Sequence, residues 1–137
     1  VGSDATLVDT NVLLDLVTDD PVWAGWSQRA LEAAAVHGRL VINDVIYAEL
    51  SVRYARMETL DEMVAAAGLV LEALPRPALF LAGKAFAAYR RRGGARTGVL
   101  PDFFIGAHAA VAGLRLLTRD AGRYRAYFPT IGLVHPT

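Results

Sequence analysis

Short apolar runs alternate with longer stretches of helical periodicity along this chain. Ala5-Thr6-Leu7-Val8 is a β-type run that stops at Asp9, and Val12, Leu13, Leu14, Leu16 and Val17 then cluster at helix-compatible spacing. Asp20-Pro21 predicts a helix start, with Asp20 as N-cap and Pro21 at the first position, and Trp23, Trp26, Ala30, Leu31 and Ala34 form its apolar stripe as far as Gly38. Leu40-Val41-Ile42 predicts a second strand, after which Asp44 is expected to cap a helix carrying Val45, Ala48, Glu49, Val52 and Tyr54. Another helix is expected from about Leu60 to Ala67, ending at Gly68. Leu69 to Leu74 fits strand or helix by pattern, but Gly68 before it and Pro75-Arg76-Pro77 after it favour a short strand.

The spacing then predicts a helix from about Ala78 to Arg92, followed by the loop Gly93-Gly94-Ala95-Arg96-Thr97-Gly98. After Pro101, Asp102 is expected to begin a helix in which the small residues Gly106, Ala109, Ala110 and Gly113 allow close approach of neighbours. Leu114 to Leu117 reads as a strand, Asp120-Ala121-Gly122 as a turn, and Ile131 to Val134 as a last strand. Strands alternating with helices imply an α/β fold with a mostly parallel sheet covered on both faces. There is no internal repeat and no linker dividing the chain.

With 137 residues, 54% of them hydrophobic, the chain has enough apolar material for one continuous core, and one domain over residues 1–137 is the working expectation. It has no apolar run of bilayer-spanning length and no basic-then-apolar opening, so a soluble, cytoplasmic protein is expected; Val1-Gly2-Ser3 carries no weight in that reading. The absence of cysteine excludes disulfides, thiolate metal sites and thiol nucleophiles, so a metal site would have to use oxygen or imidazole.

Net charge is zero but unevenly distributed: residues 1–75 hold 4 basic and 12 acidic side chains, and residues 76–137 hold 10 and 2. Thirteen of the 14 basic residues are arginine, which grips phosphate bidentately and stacks on bases; an arginine-favouring genome accounts for the composition equally well. Codon bias does not account for the setting of the only two acids in the basic half, Asp102 and Asp120, which lie in apolar or structured surroundings.

Asp9 and Asp120 both follow apolar strands, and the carboxyl ends of parallel strands are where ligand crevices form in open α/β sheets. Glu49 is flanked by Ile46, Tyr47, Leu50 and Val52, and Asp102 opens Asp102-Phe103-Phe104-Ile105, so both acids emerge from apolar elements. If the four converge, their repulsion and desolvation call for a cation, and hard oxygen ligands select magnesium or manganese, one ion or two. Phosphodiester hydrolysis is the chemistry such a site serves. Taken singly, each acid has an ordinary role: Asp9 and Asp102 as helix caps, Asp120 in an Asx turn, Glu49 on a solvated face. The set is rarer than its members. Asp15, Asp19, Asp20, Asp44, Asp61, Glu32, Glu58, Glu62 and Glu72 are assigned to caps and solvated faces, and His37, His108 and His135 to structural roles.

Four segments, Val8-Asp9-Thr10-Asn11-Val12-Leu13-Leu14-Asp15, Tyr47-Ala48-Glu49-Leu50, Leu100-Pro101-Asp102-Phe103-Phe104-Ile105-Gly106-Ala107-His108-Ala109 and Leu117-Thr118-Arg119-Asp120, closely resemble a PIN domain, and the likeness spans nearly the whole chain. Within that superfamily it looks like the VapC toxins of type II toxin–antitoxin systems. The resemblance implies a three-layer α/β/α sandwich, usually a homodimer, with endoribonuclease activity dependent on Mg2+ or Mn2+ and silenced by a VapB-type antitoxin. It implies that Asp9, Asp102 and Asp120 are metal ligands, that Glu49 completes the pocket or holds water on the metal, and that Asn11 and Thr118 support the carboxylates by hydrogen bonds. Arg90, Arg91, Arg92 and Arg96, leading into Asp102, suit RNA phosphate as well as they suit a solvated helix end. Arg119, Arg123 and Arg125 with Tyr124 and Tyr127 are candidates for backbone contacts and base stacking, the tyrosines being equally candidates for the core.

Two rival readings remain. A haloacid-dehalogenase-like phosphatase also places an aspartate after its first strand, but it requires Asp-x-Asp where this chain has Asn11, and the single lysine, Lys84, sits in a different context. A non-catalytic module would use the acidic pocket to receive an arginine from a partner.

Overall fold

A computed structural model describes residues 4–96 and 98–137. Val1-Gly2-Ser3 and Thr97 of the glycine loop lie outside the described residues. The elements run β1 (Thr6–Val8), α1 (Thr10–Val17), α2 (Ala24–His37), β2 (Leu40–Asn43), α3 (Asp44–Ser51), α4 (Met57–Ala66), β3 (Leu69–Glu72), α5 (Arg76–Arg91), α6 (Leu100–Ala112), β4 (Arg115–Leu117), α7 (Gly122–Tyr127) and β5 (Leu133–Val134).

The strands form one parallel sheet in the order β3-β2-β1-β4-β5. From β1 the chain steps outward to β2 and β3, then returns past β1 to β4 and continues to β5. Right-handed crossovers therefore put α1 to α4 on one face and α5 to α7 on the other, which makes the three layers of an α/β/α sandwich. The packing partners follow this division, with α1 against α2 and α3 on one side and α6 against α5 and α7 on the other, while α3 and α6 also meet each other. Thr6–Val8 is buried at every position, as is Leu40–Asn43, as expected of central strands covered on both faces. At the edge, β3 exposes Val70 and Leu71.

Several boundaries differ from the sequence expectation, each for a local reason. Asp20 does accept from the backbone N–H groups of Val22 and Trp23, both at 2.9 Å, but those residues form a turn and α2 begins only at Ala24. The cap of α3 is Asn43, whose side chain accepts from Ile46 N at 3.0 Å, while Asp44 falls in the first turn. Asp102 likewise sits in the first turn of α6, two residues past its start at Leu100. The last strand is shortened to Leu133–Val134, and α7, a single short helix after the Asp120 turn, was not foreseen.

The small residues of α6 serve the close packing expected of them. A Cβ on Gly106 would stand less than 3.0 Å from the ring of Phe128, which packs edge-on against buried Phe103. Alanine gains about 1 kcal/mol of helix propensity over glycine, whereas overpacking a core costs about 1–3 kcal/mol. Gly106→Ala is therefore expected to destabilise the protein by up to about 2 kcal/mol, read as a lower urea midpoint with an unchanged slope; a higher midpoint would mean that the Phe128 ring moves aside freely.

Candidate active site

The sheet reverses its winding between β1 and β4, and at that switch point the carboxyl ends of two adjacent strands diverge. Asp9 leaves β1 there and Thr118-Arg119-Asp120 leave β4. Asp9 N donates to Leu117 O at 2.9 Å, fastening the two exits together. Asp9 is only 5% exposed and caps α1 by accepting from Thr10 N at 2.7 Å through Oδ1. Its Oδ2 accepts from the Thr118 hydroxyl at 2.8 Å and the Tyr124 phenol at 2.9 Å, with Asn11 Nδ2 at 3.4 Å. Capping and convergence are thus compatible: one oxygen starts the helix and the other faces the site.

Glu49 emerges from α3, half-buried, and accepts from the Thr10 hydroxyl at 2.6 Å. The foot of α3 is held against α6 through Asn43, whose amide lies 3.1 Å from Nδ1 of His108. Burial depresses the His108 pKa, so this imidazole is neutral and structural, as expected. Asp102 comes from the first turn of α6 and accepts from Arg123 Nη1 at 2.6 Å. Asp120 is exposed in an Asx turn, accepting from Gly122 N at 3.4 Å, with its own N–H held by the Thr118 hydroxyl at 3.1 Å.

The acids interact electrostatically. Burial, with the charge of Asp102 adding to it, raises the Asp9 pKa to about 6 against the opposing hydrogen bonds from Thr118, Tyr124 and Thr10. Burial also raises the Glu49 pKa, again with a contribution from Asp102. Asp102 itself is raised, burial outweighing the lowering by Arg123, with Asp120 adding to the rise. Asp102 is therefore the hub that couples to Asp9, Glu49 and Asp120. Tyr124 is pushed well above the usual tyrosine range, chiefly by burial and then by Asp9 and Asp102, so its phenol stays protonated and donates.

Among the described residues, no three acidic or imidazole side chains stand close enough to enclose one metal ion as they lie. The donor chemistry nevertheless fits a hard dication. All four groups offer oxygen, three have raised pKa values that signal uncompensated negative charge, and at contact distance the described residues oppose that charge only with Arg123. A cation drawn in among them would relieve both burial and repulsion.

Two polar positions expected to support the carboxylates do hydrogen-bond Asp9: Thr118 directly, and Asn11 both to Asp9 and, through Oδ1, to Arg119 N at 3.2 Å. Arg90, Arg91, Arg92 and Arg96 are exposed at the end of α5 and in the loop beyond it. The guanidinium of Arg92 lies 5.3 Å above the Tyr127 ring, and Arg96 N donates to the Tyr89 hydroxyl at 3.3 Å.

Arg119, expected as a candidate for RNA contact, donates through Nε to Asp15 at 2.7 Å, and its guanidinium lies over the Trp23 ring. The solvated-face reading of Asp15 requires correction: at 2% exposure it is no solvated residue, and its carboxylate also accepts from Ser27 at 2.7 Å. Tyr124 is likewise a core residue bonded to Asp9 and is not free to stack on a base. The sequence pattern alone assigns no role to Thr10, and none toward the acids to Arg123 and Tyr124. The one available signal was an arginine and a tyrosine side by side shortly after Asp120.

A family model described as PIN domain matches residues 6–129. Among curated proteins, none matches the chain in sequence. Solved structures with the same fold include VapBC2 from Rickettsia felis bound to a DNA fragment from its promoter, at 17% identity and a TM-score of 0.74, covering 97% of this chain and 99% of that one. VapBC-1 from nontypeable Haemophilus influenzae gives 16% identity and a TM-score of 0.71, covering 96% and 97% of the two chains. A toxin–antitoxin complex from Klebsiella pneumoniae gives 24% identity and a TM-score of 0.66, covering 96% and 98%.

The raised pKa of Asp9 makes a signed prediction for stability. Because the folded value of about 6 lies above the reference 3.8, the group favours folding fully below about pH 3.8, and that contribution is lost as pH rises through 6. Two pKa units correspond to about 3 kcal/mol. Asp9→Asn removes the buried charge, so in chelator it is expected to be more stable than the parent by about 1–3 kcal/mol at neutral pH. Urea titrations across the acid range should show this advantage shrinking towards pH 4. A variant less stable at pH 7.5, or an advantage that does not vary with pH, contradicts the assignment.

Proposed function

The chain belongs to the PIN-domain family, and from that premise we propose that it is an endoribonuclease dependent on Mg2+ or Mn2+, acting as the VapC-type toxin of a toxin–antitoxin pair. The observation that carries the reading is the electrostatic coupling of Asp102 with Asp9, Glu49 and Asp120 at the sheet's switch point. The toxin–antitoxin part is supported by the fold shared with the VapBC complexes, and it brings with it a VapB-type protein partner; the family resemblance further implies a homodimer. Among the described residues no helix is long and apolar enough to cross a membrane.

In this reading Asp9, Asp102 and Asp120 would hold the cation, and Glu49 would complete the site or hold water beside it. A bound dication lowers the pKa of attacking water and neutralises charge on the phosphate oxygens. The chain's own residues orient the donors. Thr10 fixes Glu49 through its hydroxyl while its N–H fixes Asp9, so one residue sets the separation of two acids. Thr118 and Tyr124, whose phenol burial favours in its protonated form, keep Oδ2 of Asp9 in place. Arg90, Arg91, Arg92 and Arg96 offer exposed positive charge for the RNA backbone, and Tyr89 connects that loop to the site because Arg96 binds its hydroxyl and Arg123 lies over its ring.

The partner-free protein is expected to cleave single-stranded RNA with Mg2+ or Mn2+ and to stop when the ion is chelated. Asp9→Asn and Asp102→Asn should each lower the cleavage rate by about 100-fold or more while remaining folded by circular dichroism. Cleavage by either variant at the parental rate, or undiminished cleavage in chelator, refutes the ligand set.

A further inference from the structure

Helix α7 places two consecutive side chains on the acid cluster: Tyr124 donates to Asp9 and Arg123 to Asp102. Their physics differs. Tyr124 is buried and neutral, a fixed donor. Arg123 carries a full charge, and its side chain and that of Asp102 retain 21% and 35% exposure, so their contact lies where water and ions reach it. The guanidinium also has an adjacent aromatic surface, since its central carbon stands 5.9 Å from the centre of the Tyr89 ring. The other arginine in this region, Arg119, is tied to Asp15.

We propose that Arg123 is a tethered counter-ion of the acid cluster: it occupies Asp102 while no dication is bound and withdraws toward Tyr89 when one enters, so that it sets the protein's affinity for metal. The inference rests on the reading of the four acids as the cation's ligands. Its physical content is competition. Arg123 contacts Oδ2 of Asp102, the residue coupled to the other three acids, so a metal ion that takes this oxygen must replace the guanidinium. Metal binding becomes an exchange of one positive partner for another, and its net strength is reduced by the ion pair that is broken. The Tyr89 face receives the displaced guanidinium and holds it beside the arginine loop, away from the carboxylates.

Calorimetric titration of Mn2+ into the partner-free full chain tests this with Arg123→Gln, Arg123→Lys and Arg76→Gln, the last removing an exposed charge at the far end of α5. An ion pair of this exposure is worth roughly 1 kcal/mol, so Arg123→Gln is expected to bind Mn2+ about 5- to 10-fold more tightly than the parent. Arg123→Lys should fall between the two, and Arg76→Gln should match the parent. In the parent, nitrogen-detected NMR should show the Arg123 side-chain N–H groups protected from exchange in chelator and freed on saturation with diamagnetic Mg2+. This measurement also serves if Arg123→Gln does not fold. Unchanged or weaker Mn2+ affinity in folded Arg123→Gln overturns the proposal, as does protection that persists at saturating Mg2+. Equal binding by parent and variant defeats this inference alone, whereas no binding by either defeats the ligand reading with it.

Discussion

Burial of the Asp9 carboxylate at the end of the central strand is the constraint on which the rest of the site depends. An anion taken out of water requires donors on every lone pair, and here they come from three different elements: Thr10 N at the start of α1, the Thr118 hydroxyl at the exit of β4, and the Tyr124 phenol on α7. The donors do not fully compensate, because the pKa still rises to about 6. The fold therefore holds a charge that it would be more stable without. A chain that keeps such a group is giving up stability for a negative charge at that place, which is a common signature of a binding or catalytic site.

A second buried charge makes the first possible. The Asp15–Arg119 pair, with Ser27 on the same carboxylate and Trp23 under the guanidinium, ties α1 and α2 to the segment leaving β4. Arg119 lies between Thr118 and Asp120, and its backbone N–H is held by Asn11. The segment is thus fixed through both side chain and main chain, and Thr118 reaches Asp9 with little freedom to lose. Breaking such a pair leaves an uncompensated charge in a largely dry setting, so the brace restricts the exit of β4 to one conformation more than it contributes net stability.

The succession of strands and helices along the chain, and with it the element to which Asp9, Glu49 and Asp120 each belong, was legible in the sequence because short apolar runs bounded by glycine, proline or acid leave few alternatives. Asp9 and Asp120 stand out as acids at strand ends, a matter of one or two residues along the chain. What was hidden needed information from another element. Six residues cannot display helical periodicity, so Gly122–Tyr127 read as the continuation of a turn and Arg123 and Tyr124 had no direction assigned. Asp15 was misjudged although the signal existed: it lies among Leu13, Leu14, Leu16 and Val17, the same embedding in apolar neighbours that singled out Glu49. Asp44 lost its capping role to Asn43 because Asn43 can both accept from Ile46 N and donate towards His108, and an aspartate cannot do the second.

The charge asymmetry between the two halves of the sequence also takes on a different meaning in three dimensions. Ion pairing in the fold does little to cancel it: of the four salt bridges among the described residues, only Asp15–Arg119 joins the acidic half to the basic half. Asp102, one of the two acids of the basic half, is drawn instead into a cluster with Asp9 and Glu49 of the acidic half, and Arg123 follows it there. The remaining arginines of the loop after α5 stay exposed, with Tyr89 and Tyr127 beneath them. A cluster of acids alongside exposed positive charge suits a ligand that carries both signs of interaction: a cation for the acids and an anion for the arginines. Phosphodiester with its counter-cation has that character, and neither charge pattern alone would distinguish it from a simple metal buffer or a general anion-binding surface.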